Sequence, residues 1–286
     1  MSVVLVYNSA SGSAYGLKSM RTLFSANNIR MSHAFTIKQL HSRSLNQLIR
    51  RGVIVAVVGG DGTLNAVARL LVGTKSVLFP LPGGTFNHFV RDLGMYPTIE
   101  GNIEAYPNAS VQKIDVGYVN DELFLNNSNL GLYPFSLIER KRTKKVIGKY
   151  AAALLSAFDQ LFVFRRHSLI AEGKKLRSPF VFVGNNIYDI QKSLIPERVS
   201  FNKGILTVMI ATSSSRRALV RAIFDVLRGD VSHRDDFVLS QATSLTIESR
   251  RTRLPVSFDG EVKQLSTPLR YRSMPKSLNV LITKQD

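Results

Sequence analysis

Two glycine-rich segments of the chain carry residue types that can hold phosphate groups. The first is Gly59-Gly60-Asp61-Gly62-Thr63, and the second is Pro82-Gly83-Gly84-Thr85-Phe86-Asn87. Glycine lets the backbone approach a ligand closely, and the free N–H groups at the start of a helix attract anions. Each segment follows an apolar run and precedes a helix-like pattern, so we predict two strand-to-helix loops with Thr63 and Thr85 as helix caps. A single loop of this kind is also expected in any doubly wound sheet, but two in succession favour a phosphate site.

Asp61 places a carboxylate inside the first of these loops. A carboxylate repels phosphate unless a divalent cation lies between them or the acid accepts backbone N–H groups. The first alternative predicts magnesium bound together with a nucleotide. The residues alone leave both alternatives open.

Two further segments are candidate parts of the same site. Asn8-Ser9-Ala10-Ser11-Gly12-Ser13 follows the first apolar run and forms a loop of small polar residues. Phe258-Asp259-Gly260-Glu261 lies late in the chain, and Asp-Gly is common in hairpin turns that have no chemical role. If this turn faces the nucleotide loops, Asp259 can take a proton from a substrate hydroxyl, and Glu261 can help to position the metal or the nucleotide.

The elements that must position these residues change in type along the chain. Up to Leu93, apolar runs alternate with helical spacing, which predicts a parallel doubly wound sheet with ligands beyond the carboxyl ends of its strands. From about Lys113, short runs rich in Val, Phe, Ile and Tyr predict antiparallel strands, interrupted by helical segments near residues 145–164 and 216–227.

We therefore predict a chain of the α/β plus β class. Residues 1–110 form an N-terminal doubly wound parallel α/β domain that binds the nucleotide, and residues 111–286 form a β-rich second domain. The sequence leaves open whether the last strand, at residues 278–283, belongs to the second domain or returns to the first.

The amino-acid composition limits the classes of binding partner but does not identify one. Lys and Arg number 38 against 20 acidic residues, a net charge of +18 that attracts anionic membranes, nucleic acids and phosphorylated substrates alike. No nucleic-acid-reading motif is recognisable, so no specific nucleic-acid partner is expected. The absence of cysteine excludes disulfides and thiolate–zinc sites. No apolar run reaches the roughly 18 residues of a membrane span, which predicts a soluble protein.

Taken in order, these motifs resemble those of the diacylglycerol kinase catalytic-domain family. This family includes bacterial lipid kinases and the sphingosine and ceramide kinases, and its fold is related to that of NAD kinases. The loop from Pro82 to Phe89 is similar to the lipid-kinase form rather than to the NAD-kinase form. The remaining segments that carry the resemblance are Asn8 to Gly12, Gly59 to Thr63, Phe124 to Gly131, Gly148-Lys149-Tyr150 and Asp259-Gly260-Glu261.

The resemblance implies that residues 111–286 form a β-sandwich-like domain for the lipid or other acceptor, with the active site in the cleft between the two domains. It also implies ATP- and Mg²⁺-dependent transfer of a phosphoryl group to the hydroxyl of a diacylglycerol-like lipid. Alternatives are a sphingoid base or another amphipathic alcohol as acceptor, and a non-catalytic nucleotide- or lipid-binding protein of the same fold. The resemblance further implies that Asp259 is the general base, that Glu261 supports this base and that Asp61 contacts the nucleotide-bound Mg²⁺. The residues that it assigns to the nucleotide are Asn8, Ser11, Gly12, Gly59, Gly60, Asp61, Gly62, Thr63, Gly83, Gly84, Thr85 and Asn87.

Two segments depart from the pattern of the family. Asn8-Ser9 stands where relatives usually have Asn-Pro, a change that loosens the turn of the first loop. Asn202-Lys203-Gly204 stands where many bacterial relatives have Asp-Asp-Gly, so the structural magnesium site of some relatives is not expected here, and Lys203 offers a positive charge instead.

A lipid substrate is embedded in a bilayer, so the enzyme must act at a membrane surface. We expect a cytoplasmic protein bound peripherally to the inner face of the membrane, acting in phospholipid biosynthesis. Its predicted docking surface is the basic cluster from Arg140 to Lys145 beside the apolar helix from Tyr150 to Phe164. The sequence predicts neither the acyl chains nor the oligomeric state.

Overall fold

The computed structural model describes residues 2–8, 16–131, 167–171, 174–178, 180–189, 197–211 and 237–284 of the 286-residue chain. The predicted helices at 145–164 and 216–227 and the basic cluster at 140–145 lie outside these residues, and so do Ser11 and Gly12. The chain forms two compact units. Unit 1 comprises Met1–Val116 and Met274–Asp286, and unit 2 comprises Gly117–Ser273.

Unit 1 is built on a parallel sheet flanked by helices, as the alternating pattern predicts. In the strand order β2-β1-β3-β4-β18, every neighbouring pair is parallel. The strands are β1 (Val3–Tyr7), β2 (Met31–Thr36), β3 (Ile54–Gly59), β4 (Val77–Pro82) and β18 (Leu269–Ile282), of which the part from Met274 belongs to this unit. The helices are α1 (Leu17–Ala26), α2 (Arg43–Arg51), α3 (Asp61–Leu71), α4 (His88–Asp92) and α5 (Ile99–Glu104), with short 3-10 helices at Ile37–Gln39 and Tyr106–Asn108.

Burial explains why these segments fold in this way. Strand β3 is buried along its whole length, as expected of a parallel strand covered on both faces. Helix α3 follows it and packs against β3 and β4 with one apolar face. That face consists of Leu64, Val67, Ala68 and Leu71.

The last strand of the chain contributes to the sheet of unit 1. In β18, Asn279 lies opposite Val77 and Val280 lies opposite Leu78, in parallel register with β4. The Asn279 side chain donates to the carbonyls of Thr74 and Ser76, which anchors the strand to the segment that leads into β4.

Unit 2 is β-rich, with antiparallel pairing throughout its main sheet. That sheet has the strand order β14-β13-β10-β7-β16-β17. Its strands are β7 (Asn127–Gly131), β10 (Phe180–Asn185), β13 (Leu206–Ala211), β14 (Phe237–Ala242), β16 (Arg253–Phe258) and β17 (Glu261–Ser266). Strand β5 (Ser110–Val119) begins in unit 1 and ends in unit 2. Further strands of unit 2 are β6 (Glu122–Phe124), β8 (His167–Ala171), β9 (Lys174–Ser178), β11 (Tyr188–Asp189), β12 (Glu197–Arg198) and β15 (Ser244–Ser249).

A single hydrophobic cluster joins the main sheet of unit 2 to the layer formed by β15 and the first part of β18. It includes Val183 and Val256 from the main sheet and Ile247 and Tyr271 from the other layer. Two antiparallel layers that share one core form a β-sandwich-like arrangement, as predicted. The α/β plus β class is therefore confirmed.

Two details of the predicted helix starts are wrong. Gly60, not Thr63, is the N-cap of α3, and Thr63 lies in its first turn. Asn87, not Thr85, is the N-cap of α4, with a φ of 49°. The reason for the second difference is that the Asn87 side chain bonds back to the loop, which delays the start of the helix.

Candidate active site

The two glycine loops of unit 1 pack against each other, backbone on backbone. The N–H of Gly83 donates to the carbonyl of Gly59 at 3.1 Å. A Cβ on Gly83 would lie 2.6 Å from the Gly59 nitrogen, and one on Gly84 would overlap the Cα of Gly60. The glycines are therefore required by the contact between the loops, which brings the carboxyl ends of β3 and β4 together.

Asp61 links these loops through its side chain. Its Oδ1 accepts from the N–H of Phe89 at 3.0 Å, and its Oδ2 accepts from the N–H of His88 at 3.2 Å. Of the two partners that the sequence left open for this carboxylate, the structure shows backbone donors. Each carboxylate oxygen can accept more than one bond, so the half-buried group also fits a cation.

Three further side chains shape the loop region. Asn87 brackets the backbone of Gly84, because its Oδ1 accepts from the Gly84 N–H and its Nδ2 donates to the Gly84 carbonyl, both at 2.9 Å. Asn8, directly after β1, donates to the Oγ1 of Thr63 at 3.4 Å. Thr85 is exposed. The ends of β1, β3 and β4 thus bring Asn8, Thr63 and the Gly84 loop into one region.

The start of α3 can receive an anion in this region. Gly60 has no side chain with which to cap the helix, so the backbone N–H groups of its first turn depend on other acceptors. The peptide dipoles of this 11-residue helix add a partial positive charge at the same end. A phosphate group could bind there.

In unit 2, Asp259 occupies the tight turn between β16 and β17. Asp259 and Gly260 both have positive φ, 47° and 86°, as a two-residue type I′ hairpin requires. The predicted hairpin is therefore correct, but Asp259 does more than form a turn. Its Oδ2 accepts from the N–H of Leu125 at 2.7 Å, and its Oδ1 accepts from those of Asn126 and Asn127 at 2.8 and 3.3 Å.

Buried polar side chains hold the other side of this 125–127 segment. Arg198, which is 6% exposed, donates through Nη1 to the Leu125 carbonyl at 2.6 Å, and Asn185 donates to the same carbonyl at 2.9 Å. The hydroxyl of Tyr188 donates to the Asn126 carbonyl at 2.7 Å. Sequence reasoning missed these three residues, because they are 60 or more positions from the segment and carry no local motif.

Glu261 and Lys203, which the sequence also singled out, both have exposed side chains. Glu261 is exposed at the start of β17, where it pairs with Phe258 across the turn. Lys203 has an exposed side chain, and its backbone N–H donates to the side chain of the buried Asn186 at 2.7 Å. The buried cation near the 125–127 segment is the Arg198 guanidinium.

In the part of the chain that the structure describes, no cluster of three or more His, Asp or Glu side chains is placed to hold a metal ion. Within the same residues, no helix has the length and hydropathy needed to cross a bilayer.

Comparison with known proteins identifies the family of each part of the chain. Residues 2–119 match the diacylglycerol kinase catalytic domain, and residues 136–282 match the YegS C-terminal NAD kinase beta sandwich-like domain. A Pseudomonas putida protein named "Probable lipid kinase YegS-like" is 30% identical over 230 residues, which cover 78% of this chain and 74% of the relative. A Staphylococcus aureus protein named "Diacylglycerol kinase" is 25% identical over 218 residues, covering 73% of this chain and 68% of the relative.

Solved structures support the fold. A diacylglycerol kinase structure from Bacillus anthracis has a TM-score of 0.70 at 21% identity and covers 98% of this chain and 96% of its own. Yeast NADH kinase in complex with NADH has a TM-score of 0.53 at 10% identity and covers 100% of this chain and 84% of its own. The fold is thus shared with both kinds of kinase. On the sequence matches, this chain belongs to the diacylglycerol kinase family, among its YegS-like lipid kinases.

Proposed function

We propose that this lipid kinase transfers the γ-phosphoryl group of ATP, with Mg²⁺, to the hydroxyl of a diacylglycerol-like lipid. The observation that carries the proposal is the Asp259 carboxylate, held in one orientation by three backbone N–H groups. The printed name of the Staphylococcus aureus relative supports diacylglycerol as the acceptor class.

The glycine loops of unit 1 are the proposed nucleotide site. The phosphates would bind at the uncapped start of α3, where Gly60 has no side chain that competes for the free N–H groups. Asp61 is the residue that would meet Mg²⁺, and the ion would offset the charge of the phosphates. The hydrogen bonds from His88 and Phe89 orient this carboxylate in advance.

Asp259 is the proposed general base. The hydroxyl oxygen of the lipid forms a bond to the γ-phosphorus, ADP leaves, and the hydroxyl proton passes to the carboxylate. Oδ2 accepts the Leu125 N–H and, like any carboxylate oxygen, can accept a second donor, which fits a substrate hydroxyl. The proposal requires this hydroxyl and the γ-phosphoryl group to meet in the reacting complex.

We also propose that the protein works in the cytoplasm, peripherally bound to the inner face of the membrane. The net charge of +18 supports this, since a well-placed Lys or Arg contributes about 1 kcal/mol of attraction to an anionic leaflet. Sedimentation with phosphatidylserine vesicles, weakened by salt and absent with phosphatidylcholine vesicles, is the expected result. Equal binding to both lipids would contradict this part of the proposal.

The reaction is tested with purified protein, γ-³²P-labelled ATP and Mg²⁺ over vesicles that contain a diacylglycerol, a monoacylglycerol or a sphingoid base. We expect label in the organic phase with diacylglycerol. Label only with the sphingoid base would change the acceptor to the alternative class. No label with any lipid would favour the non-catalytic alternative.

A further inference from the structure

We propose that Arg198 is a positioning residue for Asp259, acting through the peptide groups of residues 125–127. This inference rests on the proposed function, because it gives Arg198 a role in the phosphoryl transfer that Asp259 is proposed to assist. Arg198 lies in the two-residue strand β12, five residues before Lys203, which the sequence offered as the positive charge in this region.

One peptide group stands between the guanidinium and the carboxylate. The carbonyl of Leu125 and the N–H of Asn126 belong to the same planar unit. Arg198 Nη1 donates to this carbonyl at 2.6 Å, and the N–H donates to Asp259 Oδ1 at 2.8 Å. A cation at the carbonyl polarises the amide, so its N–H becomes a stronger donor to the carboxylate.

The next peptide group repeats this arrangement with a neutral donor. The hydroxyl of Tyr188 donates to the Asn126 carbonyl at 2.7 Å, and the Asn127 N–H of the same peptide donates to Asp259 Oδ1 at 3.3 Å. The Nη2 of Arg198 also donates to the Asn126 side chain at 3.1 Å. Arg198 thus holds two successive residues whose N–H groups orient the same carboxylate.

The environment of Arg198 fixes its own position. The side chain is 6% exposed, and its guanidinium carbon lies 4.2 Å from the centre of the Phe201 ring. Burial of a cation is costly unless oxygen acceptors compensate for lost water, and the oxygens of Leu125 and Asn126 supply such compensation. A guanidinium can hold two acceptors at once because its donors form a rigid fork, which a lysine lacks.

The test compares Arg198→Gln and Arg198→Lys with Tyr271→Phe, a change at a buried hydroxyl of the same unit that bonds Ser128 instead. Three quantities are measured on folded protein: kcat, the KM for ATP, and the amide hydrogen exchange of residues 125–127. We expect Arg198→Gln to lower kcat at least about tenfold, to leave the KM for ATP within about twofold, and to accelerate exchange at Asn126 and Asn127. Arg198→Lys should lie between this variant and the wild type, and Tyr271→Phe should change neither kcat nor this exchange.

Unchanged exchange at Asn126 and Asn127 in folded Arg198→Gln would overturn the inference, and so would a wild-type kcat. If that variant does not fold, Arg198→Lys is measured instead, and either result there would overturn the inference as well. The exchange measurement does not depend on catalysis. An inactive wild-type protein would therefore contradict the proposed function, while unchanged amide exchange would contradict the role of Arg198.

Discussion

The Oδ1 of Asp61 accepts a hydrogen bond from the backbone N–H of Phe89 at 3.0 Å. This bond joins Asp61, which lies in one glycine loop and begins α3, to α4, which follows the other glycine loop. Asp61 is therefore part of the structure that holds the loops together, whatever ligand they bind. Its replacement should affect both stability and phosphoryl transfer.

We predict that Asp61→Ala lowers the free energy of unfolding by about 2–3 kcal/mol and abolishes phosphoryl transfer. The N–H groups of His88 and Phe89 would lose a charged acceptor, and hydrogen bonds to charged groups are among the stronger ones. Urea unfolding measures the first effect, and the labelled-ATP assay, run where the variant is folded, measures the second. Asp61→Asn should be the milder change in stability, because its amide oxygen can still accept one N–H. An Asp61→Ala protein with the free energy of unfolding of the wild type would show that these two hydrogen bonds do not stabilise the loops.

Gly84→Ala tests the packing of one loop on the other. The added Cβ would overlap the Cα of Gly60, so the loops must separate, and we expect a lower Tm and at least a tenfold higher KM for ATP. Gly16→Ala is the control, because a Cβ at Gly16 meets no atom of the described residues within 4 Å. A Gly84→Ala protein with the ATP affinity of the wild type would contradict the placement of the nucleotide at these loops.

Local sequence patterns were sufficient to predict the parallel unit and its loops. The apolar run before Gly59 folds as the buried strand β3, and the helical spacing after it folds as α3. The Asp259-Gly260 turn was equally predictable, since the dipeptide favours positive φ at both positions. These features depend on residues close together in the chain.

The polar residues around Asp259 could not be predicted, because they depend on contacts distant in sequence. Arg198 meets Leu125 across 73 positions, and Asp259 meets it across 134. No spacing marks such contacts, since they exist only once the strands of unit 2 are paired. The cap at Asn87 was missed for a different, local reason: the Asn87 side chain makes two hydrogen bonds to Gly84, three residues earlier, and the helix begins only after this loop.

Stability should decrease with alkaline pH in a way that depends on Tyr271. Burial raises the pKa of Tyr271 to about 12, and the hydrogen bond with Ser128 lowers it in part. Between pH 10 and 12 the unfolded chain loses this proton while the folded protein keeps it, so the free energy of unfolding decreases as the pH rises. Below pH 10 the tyrosine is protonated in both states and has no such effect.

Urea unfolding of the wild type and of Tyr271→Phe from pH 8 to 11 measures this effect. The stability difference between the two proteins should change in favour of the variant above pH 10, by up to about 1.4 kcal/mol per pH unit. If the free energies of unfolding of the two proteins changed with pH in the same way, the buried hydroxyl would not be the cause of the decrease in stability at alkaline pH.

The role of Asp259 as general base is tested most directly by the rate of phosphoryl transfer to diacylglycerol in Asp259→Asn. The control is Asp121→Asn, a change to an exposed acid in a different hairpin of unit 2. Loss of a general base predicts a kcat lower by about 10²–10⁴-fold in Asp259→Asn and a kcat near that of the wild type in Asp121→Asn. A folded Asp259→Asn protein that transfers phosphate within about threefold of the wild-type rate would contradict the role of Asp259 as the base.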